Sequence, residues 1–255
     1  MRFAGIRAFI SGGASGLGRA VVERVLAAGG QAVLFDLNAV HGTAAAAELG
    51  ERAHFMAGDV SDEGAIERCM AFADERMGGV DLAVNCAGVG TAARLIGRSG
   101  PMSAEFFRRM LEINLVGTLL CCRAAAQLMQ RNAPDAQGER GLIVMTASIA
   151  AFDGQIGQVA YSASKGGIVA MTLPMARELA SSGIRVVTIA PGIFHTPMLA
   201  ALPEAAQASL GQQVPFPQRL GRPEEYASLV AHIAENSMLN GETIRLDGAL
   251  RMPPR

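Results

Sequence analysis

The 255-residue chain is almost without lysine: 21 of its 22 basic residues are arginine, and Lys165 stands alone. Tyrosine is nearly as scarce, with Tyr161 and Tyr226 the two. No basic stripe is present and the net charge is −1, which excludes the electrostatic footprint of a nucleic-acid binder. No run of 18 apolar residues occurs, so no membrane span is expected. The opening "MRFAGIRAFISGG" reads as a first strand rather than a signal peptide. Cys69, Cys86, Cys121 and Cys122 form no C-x-x-C pair. So few cysteines point to a reducing, cytoplasmic compartment without disulfides. Cys121 and Cys122 lie in the helical "NLVGTLLCCRAAAQLM" and are expected as small core fillers. The four histidines are too far apart to match a metal-site spacing, and no metal is expected.

What is present is an ample apolar core: half the residues are hydrophobic and 18% are charged. Short apolar runs alternate with helical patterns. Strands are expected at 6–10, 31–35, 53–60, 80–88, 141–148, 184–192 and 242–248, with helices over 16–28, 39–50, 62–77, 103–131, 160–181 and 223–235. Near-continuous apolar strands separated by helices imply a parallel sheet covered on both faces. The expected fold class is therefore α/β, a Rossmann-like doubly wound sheet of seven mostly parallel strands. No linker or repeat divides it, and residues 1–255 are expected to form one domain. The segment 195–217 is the least regular. Its apolar residues Met198, Leu199, Leu202, Leu210 and Val214 suit a flap over a pocket, because ligands bind at strand carboxyl ends, where this segment begins.

"FISGGASGLG" follows the first strand and opens the first helix. Gly12, Gly16 and Gly18 allow a tight turn and close approach of a pyrophosphate at the helix N-terminus. Asp36 ends the next strand, 18 positions past Gly18. Its carboxylate suits a ribose diol and repels a 2′-phosphate, so NAD is expected over NADP. Arg19, inside the helix, is expected on a solvated face.

Further motifs run in order: "NCAG" at 85–88, "NLVG" at 114–117, Ser148, Tyr161-x-x-x-Lys165, and "APG" at 190–192 followed by Thr196. Together with G-x-x-x-G-x-G they make the chain resemble the short-chain dehydrogenases/reductases over its whole length. Within that family, "TASIAAFDGQIGQVAYSASKGGIVAMTLPMARELA" and the stretch from Val214 to Met252 are most similar to the branch acting on 3-hydroxyacyl-CoA esters. The chain departs from the family in three places. Ser11 replaces a threonine, Cys86 replaces the second asparagine of the N-N-A-G motif, and His195 stands beside the nicotinamide end where a smaller residue is expected.

The resemblance implies NAD as cofactor, a small-molecule substrate and a homotetramer built on helices 103–131 and 160–181. It places Ser15 and Leu17 on the pyrophosphate turn, Asp36 on the ribose, and Asp59 and Val60 at the adenine. Asn85, Cys86, Ala87 and Gly88 pass under the cofactor, while Pro191, Gly192, Phe194 and Thr196 hold the nicotinamide end. Asn114, Ser148, Tyr161 and Lys165 are the implied catalytic set, with Tyr161 and Lys165 also touching cofactor. Ser148, Tyr161 and Gln155 are expected at the substrate, with Gln158 beside them. Arg94 and Arg98 are candidate contacts to CoA phosphates, set against the plainer reading of a solvated loop.

Elementary chemistry reaches the same pair of residues. Tyr161 and Lys165 are i and i+4 on a helix and share a face. Bringing a phenol from its usual value near ~10 to neutrality takes about 3–4 kcal/mol. One unit charge at ~4 Å in a medium of effective dielectric ~20 supplies about 4 kcal/mol. An ammonium is also compact enough to face both a phenol and a ribose, where a planar guanidinium is differently directed. The expected reaction is NAD-linked oxidation of a 3-hydroxyacyl-CoA to the 3-oxoacyl-CoA. In it, Tyr161 is the base, Ser148 is the donor to the developing carbonyl, and Asn114 holds a relay water. Two alternatives remain open from the sequence: a hydroxysteroid or other secondary-alcohol dehydrogenase, and a non-catalytic NAD sensor or scaffold.

Overall fold

The computed structural model describes residues 1–98, 100–200 and 203–254, apart from the side chains of Met198 and Ala206. Seven strands form one parallel sheet: β1 (Arg7–Ser11), β2 (Gln31–Asp36), β3 (Ala53–Ala57), β4 (Leu82–Asn85), β7 (Gly141–Thr146), β8 (Ile184–Pro191) and β9 (Thr243–Leu246). Their order is β3-β2-β1-β4-β7-β8-β9, with the chain reversing direction of travel between β1 and β4. Two-residue strands β5 (Ile96–Gly97) and β6 (Gly100–Pro101) form a separate antiparallel hairpin, too short to leave a periodic pattern in the sequence.

Period-2 alternation divides the core into two layers. Phe9, Val33, Phe35, Ala83, Ile143 and Val186 face one layer, which contains Ile66, Cys121, Cys122 and Ile168. Those side chains come from α3 (Glu63–Met77), α5 (Gly117–Met129) and α6 (Val159–Leu179). Ile10, Leu34, Val84 and Val144 face the other, with Val21, Ala45 and Val230. These belong to α1 (Gly16–Ala27), α2 (Ala39–Leu49) and α9 (Pro223–Glu235). Cys121 and Cys122 are fully buried fillers, as expected.

The expected strands overran the observed ones mostly at their carboxyl ends. Residues 58–60, 86–88 and 147–148 leave the sheet and line the cleft described below. The helix expected over 103–131 is broken into α4 (Ala104–Leu111), a π turn (Glu112–Val116) and α5. By length and composition the run Ala104–Met129 is apolar enough to cross a membrane, yet half of it is buried within the protein. In the flap segment, α7 (Pro197–Ala200) and α8 (Glu204–Gln212) are separated by residues that include Leu202, which lies outside the described set.

Candidate active site

A cleft of about 640 Å³ runs along the carboxyl ends of the strands, across the point where the strand order reverses. At its centre the β1–α1 turn is shaped by glycine. Gly12 has φ 68°, and a Cβ there would stand 2.7 Å from the Ala87 nitrogen. A Cβ on Gly18 would collide with the Gly12 carbonyl. Backbone can therefore approach a ligand closely, and α1 begins after Ser15 with no side-chain cap on its first N–H groups. Ser15, Gly16 and Leu17 line this part of the cleft. A pyrophosphate fits the open helix end and the close approach.

To one side, Asp36 ends β2, where it accepts hydrogen bonds from the Ala14 and Asn38 N–H groups, each at 3.2 Å. Arg19 is turned away: it donates to Glu23 at 2.7 Å and pairs with Glu48 at 3.2 Å. Asp59 and Val60 line the same end. Burial raises the Asp59 carboxyl, but bonds from Ser61 and the Arg109 guanidinium hold it below its ordinary range.

Cys86, Ala87 and Gly88 form the floor. Ser11, where the family has threonine, keeps a hydroxyl, which accepts from the Ala87 N–H at 3.4 Å. Below the floor, the fully buried Tyr226 hydroxyl shares a hydrogen bond with Thr146 at 2.7 Å, and the Cys86 thiol meets both. Burial raises that thiol and leaves it protonated. Asn85 is a correction: it does not reach the cleft but turns into the core, donating to the Cys122 sulfur at 3.3 Å.

The other end holds Ser148, just past β7, and Tyr161 and Lys165 on α6. Ser148 caps a short 3₁₀ turn and accepts from the Ala150 N–H at 3.1 Å, and it is hydrogen-bonded to Tyr161. The Lys165 ammonium donates to the Thr146 carbonyl at 2.8 Å and lies 5.8 Å from the Tyr161 ring centroid. Burial pushes Lys165 down to about 8. Burial also pushes the Tyr161 phenol up, with the Ser148 bond acting against it. The expectation is that the Lys165 ammonium, with the positive ring of a bound cofactor adding to it, brings the phenol toward neutrality; within the protein by itself, burial holds the phenol above its ordinary value. The ammonium is itself desolvated and spends a bond on the Thr146 carbonyl.

Asn114 is fully buried in the π turn and does not line the cleft. Its oxygen accepts from the Val89 N–H at 2.8 Å, and its amide donates to the Val89 carbonyl at 2.9 Å and to Ser164 at 3.1 Å. It ties the loop after β4 to α6 one residue before Lys165. Pro191, Gly192, Phe194 and Thr196 line the reactive end, with Leu199 and Leu210 of the flap. His195 is exposed and does not line the cleft, so it does not set pocket size. Arg94 and Arg98 are exposed on the hairpin loop away from it.

Sequence reading missed Arg109, Thr146 and Met252 as cleft residues. Thr146 was accessible to it: two residues before Ser148 at a strand end, it shares that residue's face. Arg109 and Met252 had no local signal, since Arg109 meets Asp59 across 50 positions.

The reversal of strand order, the glycine turn and the Ser–Tyr–Lys cluster define a dinucleotide-dependent oxidoreductase. The sequence model of short chain dehydrogenases matches residues 7–207, and the chain belongs to that family. It is 52% identical to bovine 3-hydroxyacyl-CoA dehydrogenase type-2 and 53% identical to the human protein of that name, in each case over 98% of this chain and 97% of the relative. A crystal structure of 3-hydroxyacyl-CoA dehydrogenase type-2 from Mycobacterium avium matches with a TM-score of 0.94, at 42% identity, covering 98% of both chains. The protein is thus an enzyme that uses a nicotinamide cofactor on a small-molecule substrate.

Proposed function

We propose that this enzyme oxidises the secondary alcohol of a 3-hydroxyacyl-CoA to the 3-oxoacyl-CoA with NAD⁺. The observation that carries the reading is one cleft with Asp36 at one end and Ser148, Tyr161 and Lys165 at the other. The names of the relatives supply the acyl-CoA class. Asp36 accepts the ribose hydroxyls and its charge opposes a 2′-phosphate. The bound nicotinamide supplies the acceptor for the hydride leaving the carbinol carbon. Ser148 donates to the alcohol oxygen as it becomes a carbonyl. Tyr161, once ionised, takes the hydroxyl proton on its phenolate oxygen. Lys165 donates toward the ribose and stabilises the phenolate. Asn114 acts through position, fixing the Val89 loop and α6.

The experiment is a nicotinamide absorbance assay with NAD⁺ and NADP⁺ against 3-hydroxybutyryl-CoA, free 3-hydroxybutyrate and a 17β-hydroxysteroid. NAD⁺-dependent turnover of the CoA ester is expected to dominate; dominance of either other alcohol rejects the substrate. Tyr161→Phe is expected to lose turnover while NAD⁺ still binds, and Asp36→Ala to narrow the preference for NAD⁺ over NADP⁺. Because burial raises the Tyr161 phenol, oxidation is expected to quicken as pH rises above neutrality, and a flat profile would remove Tyr161 as the base.

The same reading places the enzyme in the cytoplasm, in keeping with four free thiols. It also makes the enzyme a homotetramer. Leu119 on α5 and Val159 and Leu173 on α6 are each more than two-fifths exposed and suit subunit contacts; sedimentation velocity reads the state directly.

A further inference from the structure

Beyond β9 the chain makes a sharp turn through Gly248 (φ 60°) and Ala249 (φ 68°). Ala249 is the one non-glycine with positive φ among the described residues. Left-handed backbone is unfavourable for a residue with a Cβ, so surrounding contacts must hold it. They are visible. The Ala249 N–H donates to Asp247 at 3.0 Å, and Arg245 bridges Asp247 at 2.7 Å and Asp153 at 2.5 Å while donating to the Leu250 carbonyl at 3.0 Å. A Cβ on Gly248 would press within 2.6 Å of Val214, at the end of the flap.

The turn throws residues 250–254 back across the mouth of the cleft. Leu250 is buried in a small cluster with Ile149 and Val214, separate from the two main core layers, and Ile193 and Met252 pack against it. Two bonds then strap the tail to the loop between Ser148 and Tyr161. The Gln155 side-chain amide donates to the Pro253 carbonyl at 3.0 Å, and the Ile156 N–H donates to the Pro254 carbonyl at 3.1 Å. Between these anchors Met252 lines the cleft, alongside Ile149, Leu199 and Leu210. Gln155, expected at the substrate, thus spends its donor on the tail. Three segments distant in sequence meet here to form an apolar wall beside Ser148 and Tyr161.

We propose that this tail is the specificity wall of the substrate subsite, and that Met252 determines how long an apolar chain can lie next to the reacting alcohol. A thioether side chain with three rotatable bonds fills space without fixing it, so its volume sets a soft limit on chain length. The proposal deepens the acyl-CoA reading and rests on it. The test compares kcat/KM for 3-hydroxydecanoyl-CoA and 3-hydroxybutyryl-CoA in wild type, Met252→Ala and Met252→Phe, with NAD⁺ affinity measured in each. Met252→Ala is expected to raise the decanoyl-to-butyryl ratio about tenfold, and Met252→Phe to lower it by a similar factor, the scale typical of one or two methylenes in an apolar pocket. NAD⁺ affinity is expected to stay constant, which a general disturbance of the fold would not allow. A ratio unchanged in both variants overturns the wall. If wild type oxidises neither CoA ester, the acyl-CoA reading fails on its own. The wall is then judged by the ratio for 2-decanol against 2-butanol in the same variants, and again an unchanged ratio overturns it.

Discussion

Lys165 is where the demands of binding and folding conflict most directly. It is the chain's one lysine, it is buried, and burial moves it from 10.5 down to about 8. That displacement corresponds to about 3 kcal/mol of cost for holding the charge inside. Below pH 8 the folded and unfolded chains both carry the proton, and the folded state bears the full cost. Between 8 and 10.5 the folded state releases the proton while the unfolded state keeps it, so the cost fades and stability from this group rises. Met at this position removes the charge and also the bond to the Thr146 carbonyl, worth about 1 kcal/mol. Lys165→Met is therefore expected to be inactive yet about 2 kcal/mol more stable at pH 7, with the advantage shrinking by pH 10. Urea unfolding at the two pH values measures this, and a pH-independent difference would show that the charge is not what burial penalises.

At the scale of elements, the π turn Glu112–Val116 is the feature that sequence periodicity hides. Its apolar pattern runs on through it, so "LEINLVGTLL" reads as one helix. The reason for the bulge lies 25 residues away, in the Val89 backbone that Asn114 satisfies on both its N–H and its carbonyl. Asn114→Ala leaves those two groups without partners. The expected loss is about 2 kcal/mol, near the low end for two unpartnered groups at about 1–3 kcal/mol each, because the Val89 backbone is only partly buried. Thermal unfolding measures it, and a loss under about 1 kcal/mol would mean that the loop finds other partners. Strand ends were misread for a related reason. Residues 58–60, 86–88 and 147–148 continue the run of each strand in sequence but line a cleft, and local pattern does not mark where a strand leaves the sheet.

Across the whole molecule the two ends of the sheet are used differently. The carboxyl ends carry the cleft, the flap and the tail. The amino ends are closed by paired charge. Arg7 at the start of β1 pairs with Asp81 at 2.5 Å, and Arg185 at the start of β8 donates to Glu139 at 2.7 Å. The second pair is almost fully buried, and Arg185 also donates to the Ile233, Ala234 and Leu239 carbonyls. That arrangement ties α9 and its exit to the sheet. Glu139→Leu leaves the Arg185 cation without its counter-charge and is expected to cost about 3–5 kcal/mol, measured by denaturant unfolding. Because Glu139 sits at the opposite edge from the cleft, the selectivity among alcohols is expected to stay unchanged in whatever fraction remains folded.

The doubly wound sheet, the glycine turn with Asp36 and the Tyr161–Lys165 pair were legible in the sequence, because each depends on short-range spacing: period 2 in strands, i and i+4 on a helix, a strand end followed by a helix start; Ser148 came only with the family resemblance. The tertiary structure alone decided which neighbours those residues meet. It turned Asn85 into the core, paired Arg109 with Asp59, placed Thr146 under Lys165, and brought Met252 across the cleft. Each of these is a contact between segments far apart in the chain, where the geometry is set by how the layers pack and leaves no periodic trace. The protonation of Tyr161 and Lys165 belongs with them, since the spacing named the pair but only the dryness of the assembled site determined which way each was shifted.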